Sequence, residues 1–572
     1  MQTTSQGSLP AGVAAVGGHL SSTIEQRLEA VASLDPHAAD VVWQAISECG
    51  SQRLGRPIEW PVAEFLKHAQ SAALQAAEGY QAEARYEPVP LPIVWDANPF
   101  RDKPWINRLM CLQPMDVYIL AWRAGDQQWL RPAADIYFSW CDFHIVQRKR
   151  AYLSWYDMPV GYRALKTALL ADCALEGSLH LSIDERRLLV ASAEAHMNEL
   201  MRSEAISQGN HGIFQMHGLA VLAEMFWSLP QAPAARTFAA STMSMLTKRQ
   251  FNDEGVHLEH SPHYHQWMMR ELASIEQSGW FDLDLTATLR RAEEVRGWLM
   301  QPDGEPVRVG DTPIGTRWPS ATSSSPDFQN DLYRLRWYRD GGYAICRTES
   351  GQLFFQGSYH STAHKHADDL SFELFDRGRR ILVDSGSTGY SGGPDRVYFL
   401  SSAAHNTIEV DGTPHPRNGT DAYGSSIRKV VTADHHIELT AYVNHKSRDW
   451  THERHLRWYP GGELVIQDDV RAESSSVFGA WLHLAPAFER RVGSLFCDQE
   501  IHVEVVSRLT YSWHRGEVAP MRGWRAGTSG QKIAAWSGRA ILRGTNAQFF
   551  TQVMLSGNCD CDLTDRIQAE RR

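Results

Sequence analysis

The sequence contains no run of about 18 apolar residues, the length a helix needs to cross a bilayer, so no transmembrane anchor and no membrane partner are expected. No Lys or Arg precedes Arg27, and glycines interrupt the apolar residues ahead of it, so a secretory leader is not expected either. The resulting expectation is a cytoplasmic protein, or a periplasmic or secreted one if a leader has been removed. Basic charge is also short: 56 Lys and Arg stand against 67 Asp and Glu, a net charge of −11. Such a chain lacks the positive field that phosphate backbones require, which argues against a nucleic-acid partner. A polyanion held in a locally basic site remains compatible with it. Cysteine is sparse and scattered, at 49, 111, 141, 173, 346, 497, 559 and 561. Only Cys559 and Cys561 lie close together, without the C-x-x-C spacing of a zinc ribbon, so reduced thiols are expected rather than a disulfide framework. No fixed-period repeat is visible, which weakens a regular solenoid.

What is present begins with length. A chain of 572 residues is enough for several domains. Apolar residues recur at i, i+3 and i+4 over Ile24–Ser33, Val62–Ala77, Ala134–Lys149, Tyr162–Ala174, Asp184–Arg202, Ile213–Ser228, Ala234–Lys248 and Trp267–Ser278, which predicts amphipathic helices with short links. The stretch 301–330, dense in Pro, Gly, Ser and Thr, reads as a linker or an inter-domain loop. Beyond it the period changes to two. Strands are predicted at Tyr343–Arg347, Gln352–Gln356, Leu370–Phe375, Arg380–Asp384, Thr407–Val410, His436–Val443, Glu453–Tyr459, Glu463–Asp468, Val477–Leu482 and His502–Val506. Helices first and strands second give a helical domain over 1–320 and an antiparallel β-sandwich over 321–572.

Four segments place titratable side chains inside apolar surroundings. Asn210 and His211 fall at the start of a predicted helix, where N–H groups and the dipole favour an anion; an ordinary N-cap role for Asn210 is the plainer alternative. Tyr264, in Ser-Pro-His-Tyr-His, sits at a loop-to-helix corner and suits a proton donor, or a base if cations lower its pKa. A solvated histidine-rich turn is the alternative there. His366, Asp384 and His405 stand at strand edges, and two imidazoles with a carboxylate make an acceptable metal set. Satisfied core histidines fit the same spacing. His364 shares strand parity with His366 and faces the same side.

Taken in order, Asn210-His211-Gly212, Ser-Pro-His-Tyr264-His, Val309-Gly310-Asp311, His364-Lys-His366-Ala-Asp-Asp-Leu-Ser-Phe, Leu-Val-Asp384-Ser-Gly and Ala-His405-Asn-Thr resemble the heparinase II/III family of polysaccharide lyases and the related oligoalginate and glycosaminoglycan lyases. The resemblance implies an incomplete (α/α) toroid followed by an antiparallel β-sandwich, acting on an acidic poly- or oligosaccharide by β-elimination at a uronate. It assigns Asn210 to the substrate carboxylate, His211 to charge neutralisation or base, Tyr264 to acid and in some cases base, and His364 as a second catalytic imidazole. His366, Asp384 and His405 match the family's metal ligands, implying one mainly structural divalent ion: zinc first, manganese or calcium as alternatives. Trp155, Arg163 and Tyr390 are expected to contact substrate, with helix packing the alternative for Trp155 and a core or rim position the alternative for Tyr390. One departure is visible: Leu400 stands where many relatives carry an arginine before His-Asn-Thr.

Two other classes stay open on the sequence. A glycoside hydrolase needs two carboxylates flanking the scissile bond, and Asp253, Glu254 and Glu259 gather in one loop. A non-catalytic carbohydrate-binding protein has no need of Asn210, His211, Tyr264 and His364 together. A monomer or a homodimer is compatible with the sequence.

Overall fold

The computed structural model describes residues 35–49, 58, 80–81, 86–315, 318, 333–390 and 392–557. The helices predicted at 24–33 and 62–77, most of the linker after residue 315, and Cys559 and Cys561 lie outside the described residues. The chain divides into two compact units, Met1–Gln250 with Glu271–Leu285, and Phe251–Arg270 with Thr286–Arg572. The second unit thus takes in segments that a single division at residue 320 assigns to the helices. No helix among the described residues is long and apolar enough to cross a membrane.

The first unit is helical. Its helices are Pro36–Glu48, Lys103–Met110, Gln113–Arg123, Leu130–Cys141, Met158–Leu175, Ile183–Leu200, Asn210–Met225 and Ala232–Thr247. The first three lie outside the predicted set; two of them open on a side-chain cap, Asp35 and Asp102, and all three carry proline in the first turn. Ile183–Leu200 begins with a complete capping box between Ser182 and Glu185. Leu130–Cys141 runs into a π-helical turn, Asp142–Val146, where the sequence predicts regular helix. Asn210–Met225 packs against both Met158–Leu175 and Ala232–Thr247. Every residue of that helix is buried except His211 and Glu224, so it is a central helix, buried all round, and not an amphipathic surface one.

Two glycines set how closely this central helix can approach its neighbour. A Cβ on Gly161 would lie 2.4 Å from the Phe214 carbonyl oxygen, and one on Gly218 would lie 2.3 Å from that of Gly161. Both clashes are with backbone, which cannot swing aside as a side-chain tip would.

The second unit holds antiparallel sheets. Strands Arg334–Tyr338, Tyr343–Arg347, Gln352–Gln356, Phe372–Asp376 and Arg379–Leu382 pair in sequence order. A ten-stranded sheet is built around two long strands, Glu463–His483 and Ser537–Gly557. The two strands predicted at 463–468 and 477–482 are one strand, whose register shifts between Arg471 and Ser476. Phe355, Phe372 and Leu374 of the smaller sheet share one core with Leu439, Leu456, Trp458 and Phe478 of the larger. Burial on one face, with polar residues outward as in the alternating pattern of Ile437–Val443, makes this a β-sandwich. The fold class expected from the sequence, helical toroid-type domain followed by β-sandwich, therefore holds.

Buried polar contacts tie the connecting loops to this sandwich. Arg454 pairs with Asp468 and donates to the Leu370 carbonyl at 2.7 Å and to that of Asn406. Asn406 donates to the Phe372 and Val383 carbonyls and accepts from the His483 N–H. The loops carrying His364, His366 and His405 are held in place this way.

Gly161→Ala is expected to lower stability by about 1–3 kcal/mol, the usual cost of over-packing. Urea denaturation checks this; an unchanged midpoint would show that the two helices have room to separate.

Candidate active site

In the second unit, one carboxylate gathers the chemistry. Asp311 is buried and accepts from Ser387 Oγ at 2.9 Å and from Arg396 Nη2 at 3.0 Å. His364 Nδ1 lies 3.1 Å from one of its oxygens and His366 Nε2 lies 3.0 Å from the other. The Val-Gly-Asp sequence has a steric reason. A Cβ on Gly310, which has φ +57°, would lie 2.4 Å from the His260 carbonyl oxygen and 2.8 Å from that of His364. Only glycine lets the Asp311 segment pass beneath those two loops.

His364 itself has φ +58°, an uncommon conformation for a non-glycine residue and one that clusters at functional sites. Its imidazole stacks on the Tyr264 ring with centroids 3.5 Å apart and planes 15° from parallel. Tyr390 closes the arrangement: its hydroxyl is 2.7 Å from Tyr264 Oη and 2.9 Å from His364 Nδ1. Glu259 Oε2 lies 3.4 Å from His364 Nε2. Tyr264, His364 and Tyr390, three residues singled out in the sequence, are thus in mutual contact.

The electrostatics follow from burial and partners. Burial would raise the Asp311 pKa, but hydrogen bonds from His364, His366 and Arg396 hold it well below the ordinary carboxylate range. Burial would lower His364, but its contacts with Asp311 and Glu259 raise it. Burial raises the Tyr264 phenol, with Asp311 and Glu259 adding to the shift and the Tyr390 hydrogen bond opposing it. Burial likewise raises Tyr390. The site therefore presents a neutral phenol, a proton donor, against an imidazole biased towards its cation.

Arg396 restores a cation that the sequence places in question. It lies on the helix Pro394–Leu400, four residues before Leu400, so the two share a helix face one turn apart. Its guanidinium also lies over the Tyr390 ring, 5.3 Å from the centroid. The sequence reading missed Arg396, and missed Glu259 as a His364 partner; the one-turn offset was the available signal for the arginine.

In the helical unit, Gly209 is the N-cap and Asn210 is the first helical residue, buried, so the plain N-cap role does not apply to Asn210. His211 is partly exposed, and its Nδ1 lies 2.6 Å from Asp157 Oδ2. With Nδ1–H donated to that carboxylate, the lone pair of Nε2 is free to accept a proton. Arg163 is a correction. It is fully buried, donates to the Met110 and Ser154 carbonyls and to His196 Nε2, and lies 4.3 Å from the Trp140 ring centroid. Burial lowers its pKa to about 10. Its donors are spent on the protein, not on a sugar. Trp155 is buried against Trp140 and His196, and belongs to the same packing.

The expected metal set fits a metal only in part. His366 Nδ1 and His405 Nε2 are buried with no hydrogen-bonding partner among the described residues, as ligand nitrogens would be. The Asp384 carboxylate, however, takes His405 Nδ1 at 2.7 Å and the Gly386 N–H at 2.8 Å. It orients His405 and does not converge with the two imidazoles on one point. Among the described residues, three groups able to hold a metal, with ligand atoms all within 4.8 Å, gather instead at Asp369, His415 and His445. Their spacing across 76 residues left no local pattern to read.

Comparison with known proteins agrees with this architecture. The models for the heparinase II/III N-terminus and for the heparinase II/III-like C-terminal domain match residues 62–312 and 330–551. The chain belongs to the heparinase II/III-like family, and is an enzyme of the polysaccharide-lyase class. The crystal structure of a heparinase III is similar at a TM-score of 0.71 and 16% identity, covering 94% of this chain and 92% of its own. The heparan sulfate lyase HepC from Pedobacter heparinus is similar at 0.53 and 15%, covering 91% and 88%. A second heparinase III gives 0.60 and 14%, covering 97% and 94%. These identities establish shared fold alone. No curated protein sequence matches the chain.

The folded-state pKa of His364 lies above its ordinary value, so its stabilising contribution is full below that value and fades as pH rises through the folded one. Asp311 behaves oppositely: its contribution is full above the ordinary carboxylate value and is lost as pH falls through the depressed one. Asp311→Asn is expected to move the His364 titration to lower pH, read by histidine NMR. An unmoved midpoint would mean that Asp311 does not bias this imidazole.

Proposed function

We propose that the chain is a lyase that cleaves uronate-containing poly- or oligosaccharide, of glycosaminoglycan or alginate type, by β-elimination. The observation that carries this reading is the Tyr264 phenol stacked on His364 and joined to it through Tyr390. Elimination requires a hydrogen to leave C5 of the uronate as a proton while its electron pair forms the C4=C5 bond. The C4–O4 bond then breaks, and the departing oxygen takes a proton. A neutral phenol held against an imidazole cation is suited to that last transfer, and Tyr264 is assigned to it. Tyr390 relays a proton from His364 and resets the phenol. His211, with Asp157 fixing its tautomer, is assigned to the C5 proton, and Asn210 to the substrate carboxylate. Both assignments follow the family resemblance. A divalent ion, zinc first by its donors as the resemblance implies, would serve as a structural element and take no part in these transfers.

The hydrolase alternative loses support from Glu254, whose carboxylate accepts the backbone N–H groups of Arg339, Asp340 and Gly341 and is spent on that turn. The heparinase and heparan sulfate lyase neighbours make heparan sulfate the first substrate to try.

The test is a panel of heparan sulfate, hyaluronan, chondroitin and alginate oligosaccharides, read by ultraviolet absorbance of the conjugated 4,5-unsaturated product and by product length. At least one substrate should be shortened with a gain in absorbance, and Tyr264→Phe should lower that rate by about 10² or more with the fold intact. Chain shortening without absorbance, or a fully active Tyr264→Phe enzyme, would refute the reading.

A further inference from the structure

We propose that Asp369, His415 and His445 form a metal site distinct from the His366–Asp384–His405 set, which holds one zinc-class divalent cation in tetrahedral coordination and fastens the His364 loop to the β-sandwich. The three side chains come from separate loops: one following His364, one following strand Ile408–Val410, and one following strand Ile437–Val443. All three side chains are fully buried. Asp369 Oδ2 lies 3.3 Å from His415 Nδ1 and 3.2 Å from His445 Nε2. None of these atoms has a hydrogen-bonding partner among the described residues.

The outer ring nitrogens fix what faces inward. His415 Nε2 lies 2.8 Å from the Ile408 carbonyl oxygen, and His445 Nδ1 lies 3.3 Å from that of Tyr423. A carbonyl can only accept, so each outer nitrogen carries the ring proton. In the neutral imidazoles, the nitrogens facing Asp369 then present lone pairs. Imidazoles that ligate metals are held in this same way, by a carbonyl on the opposite nitrogen. Three buried electron pairs pointing at one another repel, and a cation between them removes the conflict.

Geometry separates this from an ordinary histidine–aspartate contact. In the same unit His405 and His452 approach Asp384 and Asp468 to 2.7 Å, and His364 and His366 approach Asp311 to 3.1 and 3.0 Å, all with hydrogen-bond geometry. The Asp369 contacts, at 3.3 and 3.2 Å, are longer than any of these and lack that geometry. A tetrahedral ion with bonds of about 2.0–2.1 Å holds its ligand atoms about 3.3 Å apart, which is the spacing of both Asp369–histidine pairs, and all three atoms lie within 4.8 Å of one another. Lys365 Nζ lies 3.3 Å from the other Asp369 oxygen, leaving Oδ2 as a single-oxygen ligand. Lys365 also pairs with Asp368 and directly follows His364 in the chain, which is how an ion here would steady the catalytic loop without touching substrate. The proposal does not depend on which polysaccharide is cut.

The full-length protein, stripped with a chelator and refilled with Co(II), is expected to take up metal and to show the intense visible bands of four-coordinate cobalt. That band and the bound metal should persist in His366→Ala and be lost in His445→Ala with circular dichroism unchanged. If His445→Ala does not fold, X-ray absorption on zinc-loaded wild-type protein decides, with two imidazoles and one carboxylate oxygen expected at about 2.0 Å. Two results would overturn the site: no Co(II) or Zn(II) retained by folded wild-type protein, or metal kept by folded His445→Ala and lost by His366→Ala.

Discussion

The arrangement in the second unit rests on the charge of one buried carboxylate. Asp311 receives Arg396, Ser387, His364 and His366 at once, and three of those partners reach on to another ring of the site. Arg396 lies over Tyr390; His364 stacks on Tyr264; His366 stands 5.3 Å, ring to ring, from His405. A carboxylate removed from water is costly unless its partners compensate, and here the partners are the site itself. The left-handed backbone at His364 and the missing side chain at Gly310 are the conformational expense of bringing those partners together.

The helical unit works by a different device. Close approach through Gly161 and Gly218 buries nearly all of Asn210–Met225, leaving His211 at its first turn to meet Asp157. Arg163, which looks from the sequence like a cation waiting for an anion, is consumed in holding the helices. It bridges the carbonyls of Met110 and Ser154 between two tryptophan rings. Charge type alone does not reveal whether a side chain is offered to a ligand or spent on the backbone.

Much of the fold was legible because period follows burial. Tyr343–Arg347 and Gln352–Gln356 are observed with the predicted bounds, since apolar side chains bounded by turn residues leave little choice. Helices such as Gln113–Arg123 escaped because burial on several sides erases the amphipathic stripe. Tyr264 and His364 could be singled out because polar groups in apolar surroundings need a reason, whereas Tyr390 came only from the family resemblance. What escaped depends on three-dimensional convergence: Arg396 reaches Asp311 from 85 residues away, and Asp369, His415 and His445 meet across three loops. No local spacing encodes such meetings.

If Asp311 acts through His364 and Tyr390 on the Tyr264 phenol, its removal and that of the phenol should cost the same step. The most direct measurement is a double-mutant cycle of Asp311→Asn and Tyr264→Phe, followed by the rate of unsaturated-product formation in folded enzymes. The account predicts that the double variant is scarcely slower than Tyr264→Phe alone. Losses that multiply would show that Asp311 and Tyr264 contribute independently, and would contradict it.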